Sequence, residues 1–270
     1  MEILPDELKA SILSFLDGKE LLVSLSNFKN TFYSAQRKYG KMLSAKFIGS
    51  AITDANLGHL RYVHDIDLTD CQYITDRGLR NLTGAKRVIL SLCRGISNSG
   101  MLYVSQANYV SLKGCNWVTE KGARYLAKVK ELNLGYCKNI DDAALVRLAN
   151  VQTLDIAGCE KITNHGLHHL FNVKNLNISR NNSISDAGLS NLMSIESLHL
   201  CHCKNITNGA LEWVKHATVH ICGCTKITGI RFPSRLVKSC DVCEVDNADL
   251  DIIAMEPNFW TFSGILRYST

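Results

Sequence analysis

At 270 residues, with 46% hydrophobic and 20% charged side chains, the chain is long enough for one or two domains with a buried core. Those values exclude wholesale disorder, three prolines exclude a collagen-like chain, and no apolar run approaches the ~18 residues of a membrane span. The net charge of +5 divides into −4 over residues 236–270 and +9 over the rest, with no run of five like charges, so neither a nucleic-acid nor a membrane partner is expected.

The chain opens on Met1-Glu2-Ile3-Leu4-Pro5-Asp6-Glu7, acidic where a secretory signal is basic, and a cytoplasmic and/or nuclear protein is expected. Pro5 followed by Asp6-Glu7 reads as a helix start, and Leu8, Ile12, Leu13, Phe15 and Leu16 recur at helical spacing until Asp17-Gly18. A second apolar set follows at Leu21, Leu22, Leu25 and Phe28, then Phe32-Tyr33. By themselves these helices read as a cap over the segment that follows. The string Leu4-Pro5-Asp6-Glu7-Leu8, Ile12 to Asp17, Glu20-Leu21-Leu22, Leu25-Ser26, Lys29 and Phe32 also resembles an F-box. Phe32 stands where that family often has tryptophan, and the short basic stretch from Ser34 to Lys46 reads as a reduced third helix. The resemblance implies docking onto the cullin-linking adaptor of an SCF-type ubiquitin ligase through Leu4, Pro5, Leu8, Ile12, Leu16 and Leu22.

Beyond residue 47 the cysteines take over. Cys71, Cys93, Cys115, Cys137 and Cys159 are each 22 residues apart; Asn181 and Cys203 continue the series and Cys224 follows after 21. Eleven cysteines without an export signal argue against a disulfide framework, and the fixed period marks a repeat array. Alternating pairs such as Ile66/Leu68, Leu132/Leu134, Leu154/Ile156 and Leu198/Leu200 predict short strands with one buried face. A column of helix-capping residues follows in every unit: Thr53, Thr75, Ser97, Thr119, Asp141, Thr163, Ser185, Thr207 and Thr228. Asp54, Asp76, Glu120, Asp142 and Asp186 come next, negative charge where a helix dipole favours it, and pairs such as Leu79/Leu82 and Leu167/Leu170 make one helical stripe.

Each unit is thus strand, turn and short helix, too small to bury its own apolar positions, so units must stack into a right-handed solenoid. The pattern LxxLxLxxCxxITDxGLxxL, over roughly residues 50–231, resembles the cysteine-containing leucine-rich repeat. The expected fold is therefore α/β: a leucine-rich-repeat solenoid with a parallel sheet on the concave face, short convex helices and a small all-helical F-box-like segment at the N-terminus. The expected units are residues 1–47, 48–235 (about eight repeats) and a capping segment 236–270. Because Asn181 replaces cysteine within the series, the column needs a small group able to hydrogen-bond loop backbone rather than a thiol as such.

No phosphate loop, HExxH or nucleophile elbow is present, so no enzyme activity and no cofactor are expected. Strand alternation turns a sparse polar column, Asp67 to His220, out of the sheet toward a protein partner. Arg87, Tyr109, Lys113, Glu131, Tyr136, Asp155, Arg180 and His199 are the candidate contacts on that face, since aromatic and arginine side chains dominate interface energetics. His199, Cys201, His220 and Cys222, in equivalent slots of consecutive strands, are the one metal candidate. In the final segment Trp260 and Phe262 read as a cap over the last coil, and Cys240/Cys243 as an isolated CxxC. The expected protein is a non-catalytic adaptor, F-box to a ligase and repeat face to a target; the alternative is a stand-alone repeat protein whose N-terminal helices only cap the solenoid.

Overall fold

The computed structural model describes residues 44–228, together with Glu20 and the backbone of Leu236–Val237. The F-box-like positions Leu4, Pro5, Leu8, Ile12, Leu16 and Leu22 lie outside the described residues, as do Cys240, Cys243, Trp260 and Phe262.

Each unit opens with a strand of two or three residues: β1 Ser44–Lys46, β2 Asp65–Asp67, β3 Arg87–Ile89, β4 Tyr109–Ser111, β5 Glu131–Asn133, β6 Thr153–Asp155, β7 Asn175–Asn177, β8 Ser197–His199, β9 Thr218–His220 and β10 Leu236–Val237. Among the described residues they form one ten-stranded parallel sheet in chain order. The 22-residue period becomes the pairing register: Ile66, Val88, Val110, Leu132, Leu154, Leu176, Leu198 and Val219 lie in one column. The sheet extends past the expected 48–235 stretch by a strand at each end. Ala45 pairs with Ile66 and Leu236 with Val219. Neither end strand keeps the pattern of the others: Ala45 puts a small side chain in the branched column, and Leu236 returns at a spacing other than 22.

The return segments are single helical turns: α1 Asp54–Leu57, α2 Asp76–Leu79, α3 Met101–Val104, α4 Glu120–Ala123, α5 Asp142–Arg147, α6 Asn164–Leu167 and α7 Ala210–Trp213. Several run into a 3₁₀ turn, as at Arg80–Leu82 and Arg124–Leu126, and in one repeat a 3₁₀ turn at Asp186–Leu189 stands alone. Helices this short are not stable alone. Packing holds them: Leu79, Leu145, Leu167 and Leu189 are fully buried beneath the sheet, each contributing about 1.5–3 kcal/mol.

Two hydrogen-bond ladders stitch one coil to the next. In the first, each cysteine of the 22-residue column donates its S–H to a strand carbonyl of the preceding repeat: Cys93 to Leu68 at 3.0 Å, Cys115 to Leu90, Cys137 to Leu112 and Cys159 to Leu134 at 3.1 Å, Cys203 to Ile178 at 3.2 Å. Asn181 Nδ2 does the same to the Ile156 carbonyl at 2.8 Å. The thiol is a buried donor, which is why an amide replaces it. Burial pushes the thiols of Cys115, Cys159 and Cys203 up to about 12, and all nine described cysteines are unbridged.

The second ladder corrects the expectation for the acidic residues after the caps. Asp54, Asp76, Asp142 and Asp186 do more than face a helix dipole. Asp142 Oδ1 accepts the backbone N–H of Thr163, the capping residue one repeat on, at 2.8 Å, and Oδ2 accepts its hydroxyl at 2.6 Å. Asp54–Thr75, Asp76–Ser97 and Asp186–Thr207 repeat the arrangement, and Asn98 and Asn164 use the amide oxygen for it. Thr163 in turn accepts the His165 N–H as a helix cap. Glu120 is the exception: the next cap is Asp141, itself an acceptor, and Glu120 turns to Arg147 at 2.7 Å.

Candidate functional site: the face of the sheet

On this face the first and last residues of each three-residue strand form two side-chain columns, and the residue two positions beyond the strand forms a third, all crowded by the ~4.8 Å spacing of neighbouring strands. The middle column is consequently more covered than expected: Asp67, Ile89, Ser111, Asn133, Asn177 and His199 are all buried. Its carboxylates and amides turn back on their own strands. Asp67, Asn133, Asp155 and Asn177 each accept the backbone N–H two residues ahead, at 2.9–3.0 Å. That N–H falls where the ladder to the preceding strand has ended, so an Asx side chain replaces a lost backbone bond. Asn177 Nδ2 also donates sideways to Asp155 Oδ1 at 3.0 Å.

The larger candidate residues stand around this column. The Arg87 guanidinium stacks on the Tyr109 ring, 3.8 Å from its centroid, and the Lys113 ammonium lies 5.7 Å from the Tyr136 centroid. Burial raises the Tyr109 phenol, with Arg87 opposing. Burial likewise lowers Lys113 and raises Asp155, and the attraction between the two opposes both shifts without reversing either. Glu131 is exposed, and Tyr136 and Arg180 are half-buried. Those two sit at a position that is left-handed in every repeat, with φ of 60° and 65°. The Tyr136 ring lies against Gly158, the same position one repeat later, where φ is 65° and an added Cβ would meet the ring at 2.8 Å.

Tyr109, Glu131, Asn133, Thr153, Asp155, Asn175, Asn177 and His199 line one shallow cleft across β4 to β8. Its volume of about 40 Å³ is room for a few waters. His199, offered as a partner contact, is buried because its ring stacks on His220, centroids 4.0 Å apart and planes 8° from parallel. The same two rings belong to the metal candidate set. Parallel rings do not converge with Cys201 and Cys222 on one point, and among the described residues no group of three or more His, Cys, Asp or Glu is placed to hold an ion. Among the described residues the face thus presents columns of aromatic, cationic and Asx side chains around one shallow cleft. The Asx pattern was visible in sequence as a polar column; its inward turn was not, because the N–H it satisfies is orphaned only by the three-dimensional end of the ladder.

A family model described as Leucine Rich repeat matches residues 59–82, 125–149 and 169–193. No curated protein matches the sequence. Among solved structures, the chain is similar to one in the TLR13–ssRNA13 complex at 17% identity and a TM-score of 0.54, over 74% of this chain and 33% of that one. It is similar to the Toll–Spatzle complex of Drosophila at 14% identity and a TM-score of 0.53, over 68% of this chain and 27% of that one. An internalin, InlF, from Listeria monocytogenes follows at 21% identity and 0.49, over 73% and 66%. The chain spans about a third of the length of the first of these, and at such identities the likeness is one of fold. No helix of the described residues is long and apolar enough to cross a membrane. The strands, the period and the matched segments agree: leucine-rich repeats stack here as a parallel-sheet solenoid.

Proposed function

We propose that the protein is a non-catalytic adaptor: the repeat face holds a protein target, and the F-box-like segment joins that target to the cullin-linking adaptor of an SCF-type ubiquitin ligase. The observation that carries the repeat half is the continuous sheet face, which displays the Arg87–Tyr109 and Lys113–Tyr136 pairs, with Tyr109 also lining its shallow cleft. Two fold neighbours are themselves described as complexes, one with ssRNA13 and one of Toll with Spatzle, which fits a partner-binding role. The ligase half rests on the string Leu4-Pro5-Asp6-Glu7-Leu8 to Phe32. A cytoplasmic or nuclear setting goes with this reading. A second reading, a stand-alone interaction protein, is favoured by the family match, which falls on the repeats alone.

Affinity purification of the full chain and of a Pro5→Ala/Leu16→Ala variant decides between them. The adaptor reading expects the cullin-linking adaptor with the unmodified chain, and a loss of at least tenfold in the variant, while the circular dichroism of the repeats is retained. An adaptor absent from both purifications leaves the stand-alone reading.

A further inference from the structure

Two described cysteines stand apart from the thiol ladder. Strand alternation puts Cys201 and Cys222 on the face of the sheet, two residues beyond His199 and His220. β8 and β9 are in register at His199–His220, and the backbone ladder continues past them. The Leu200 N–H donates to the His220 carbonyl and the His202 N–H to the Cys222 carbonyl, both at 2.8 Å, bracketing the two cysteines. They are therefore held side by side on strands ~4.8 Å apart, inside the ~4.4–6.8 Å Cα separation that a disulfide spans. Their sulfurs are 3.3 Å apart. Closing that gap to ~2.05 Å takes side-chain rotation and no change of register. The pair is also asymmetric, with Cys201 buried and Cys222 half-exposed, so one thiol is reachable and the other waits behind it.

We propose that Cys201 and Cys222 are an oxidisable dithiol that reacts with a low-molecular-weight disulfide of the glutathione class and closes into a covalent bond between adjacent repeats. The Cys222 thiol gives its proton to solvent and its sulfur attacks one sulfur of the small disulfide. That S–S bond breaks, and one small thiolate leaves and takes up a proton. Cys201 then loses its proton, attacks the Cys222 sulfur of the mixed disulfide and displaces the second small thiol. Two protein thiols are oxidised and one small disulfide is reduced to two thiols. The neighbouring ladder cysteines do not compete, because Cys203 and Cys224 are buried, committed to the Ile178 and Leu200 carbonyls, and pushed up by burial.

The test uses the full-length chain, reduced, incubated folded with oxidised glutathione, quenched by alkylation and digested without reduction. The expected result is one linked peptide pair whose fragmentation places the bond on Cys201 and Cys222, removed by dithiothreitol. Cys201→Ser should stop at a glutathione adduct on Cys222, and Cys222→Ser should give neither adduct nor bond at this pair. A lasting adduct on Cys222 of the unmodified chain, alkylation of both residues after oxidation, or a bond to Cys203 or Cys224 instead would overturn the assignment. The unmodified chain alone separates these outcomes, so a variant that folds poorly does not blunt the test.

Discussion

A methyl group added at Gly166 would press on the Asp142 carboxylate and the Leu145 side chain, because the carboxylate that reaches up to Thr163 lies flat against the glycine of the next repeat. Gly166→Ala is expected to cost about 1–3 kcal/mol, and Asp142→Ala about 1 kcal/mol through the lost Thr163 bonds. The double variant should cost less than the sum, since the new methyl then fills vacated space. Urea titrations of the four proteins close the cycle, and strict additivity would contradict it. The chain already contains one such exchange: where Glu120 turns away to Arg147, the glycine position of the next repeat holds Ala144. The rule is local, since Ala210 follows Asp186 in a repeat whose helix starts at Ala210 rather than just after Thr207. His199 carries a pH dependence of definite sign. Burial, helped by the neighbouring His220, brings it from 6.5 down to about 4, so as pH falls the unfolded chain takes up the proton first. Its contribution to stability is full above about 6.5 and is lost as the pH falls toward 4, up to about 3 kcal/mol. His199→Gln should flatten the acid limb of stability against pH; an unchanged slope between pH 6.5 and 4 would exclude the assignment.

At the scale of a single coil, the thiol column sets the seam between turn and strand. Cys159→Ala removes the donor to the Leu134 carbonyl and one buried sulfur, and should cost about 1–2 kcal/mol. Asn181→Cys exchanges one donor for another and should cost less than about 1 kcal/mol in thermal denaturation. A larger penalty at Asn181 than at Cys159 would refute the view that the column is about donation. This column was legible in sequence because one substitution, Asn181, exposed what the position requires. The strand registers were legible too, since a fixed period of 22 converts directly into pairing. The acidic column was only half legible. An Asp after a cap looks complete as a charge at a helix start, and its true partner, such as Thr163 for Asp142, lies in the next repeat. The faint signal was a covariation within the chain, Asp or Asn with a later glycine and Glu120 with Ala144. The covered state of the sheet face was not legible, because alternation reports which way a side chain points and not how closely its neighbours stand.

For the whole array, removing one residue and removing one complete unit should differ sharply. Without residues 151–172, Val173 takes the place of Val151, Ser185 meets Asp142, Gly188 lies under that carboxylate, and Asn181 donates to the Leu134 carbonyl. Each substitute is a residue type already used for that role elsewhere. The shortened chain should unfold cooperatively with a smaller denaturant slope, whereas deletion of Leu154 alone, inside a strand, should cost several kcal/mol by turning the buried face of that strand outward. Comparable midpoints for the two deletions would mean that the register is not what holds the array together. The same coil-to-coil bonding has a mechanical side. Because each described coil is tied to its neighbours by strand pairing, a thiol or amide bond and, except between Glu120 and Asp141, a cap bond, a load applied between the two ends meets these ties one seam at a time rather than all together. Every coil that peels away frees 22 residues, roughly 75 Å of extended chain. Stretched in an optical trap, the solenoid should lengthen in steps of that order, as a spring whose turns let go singly.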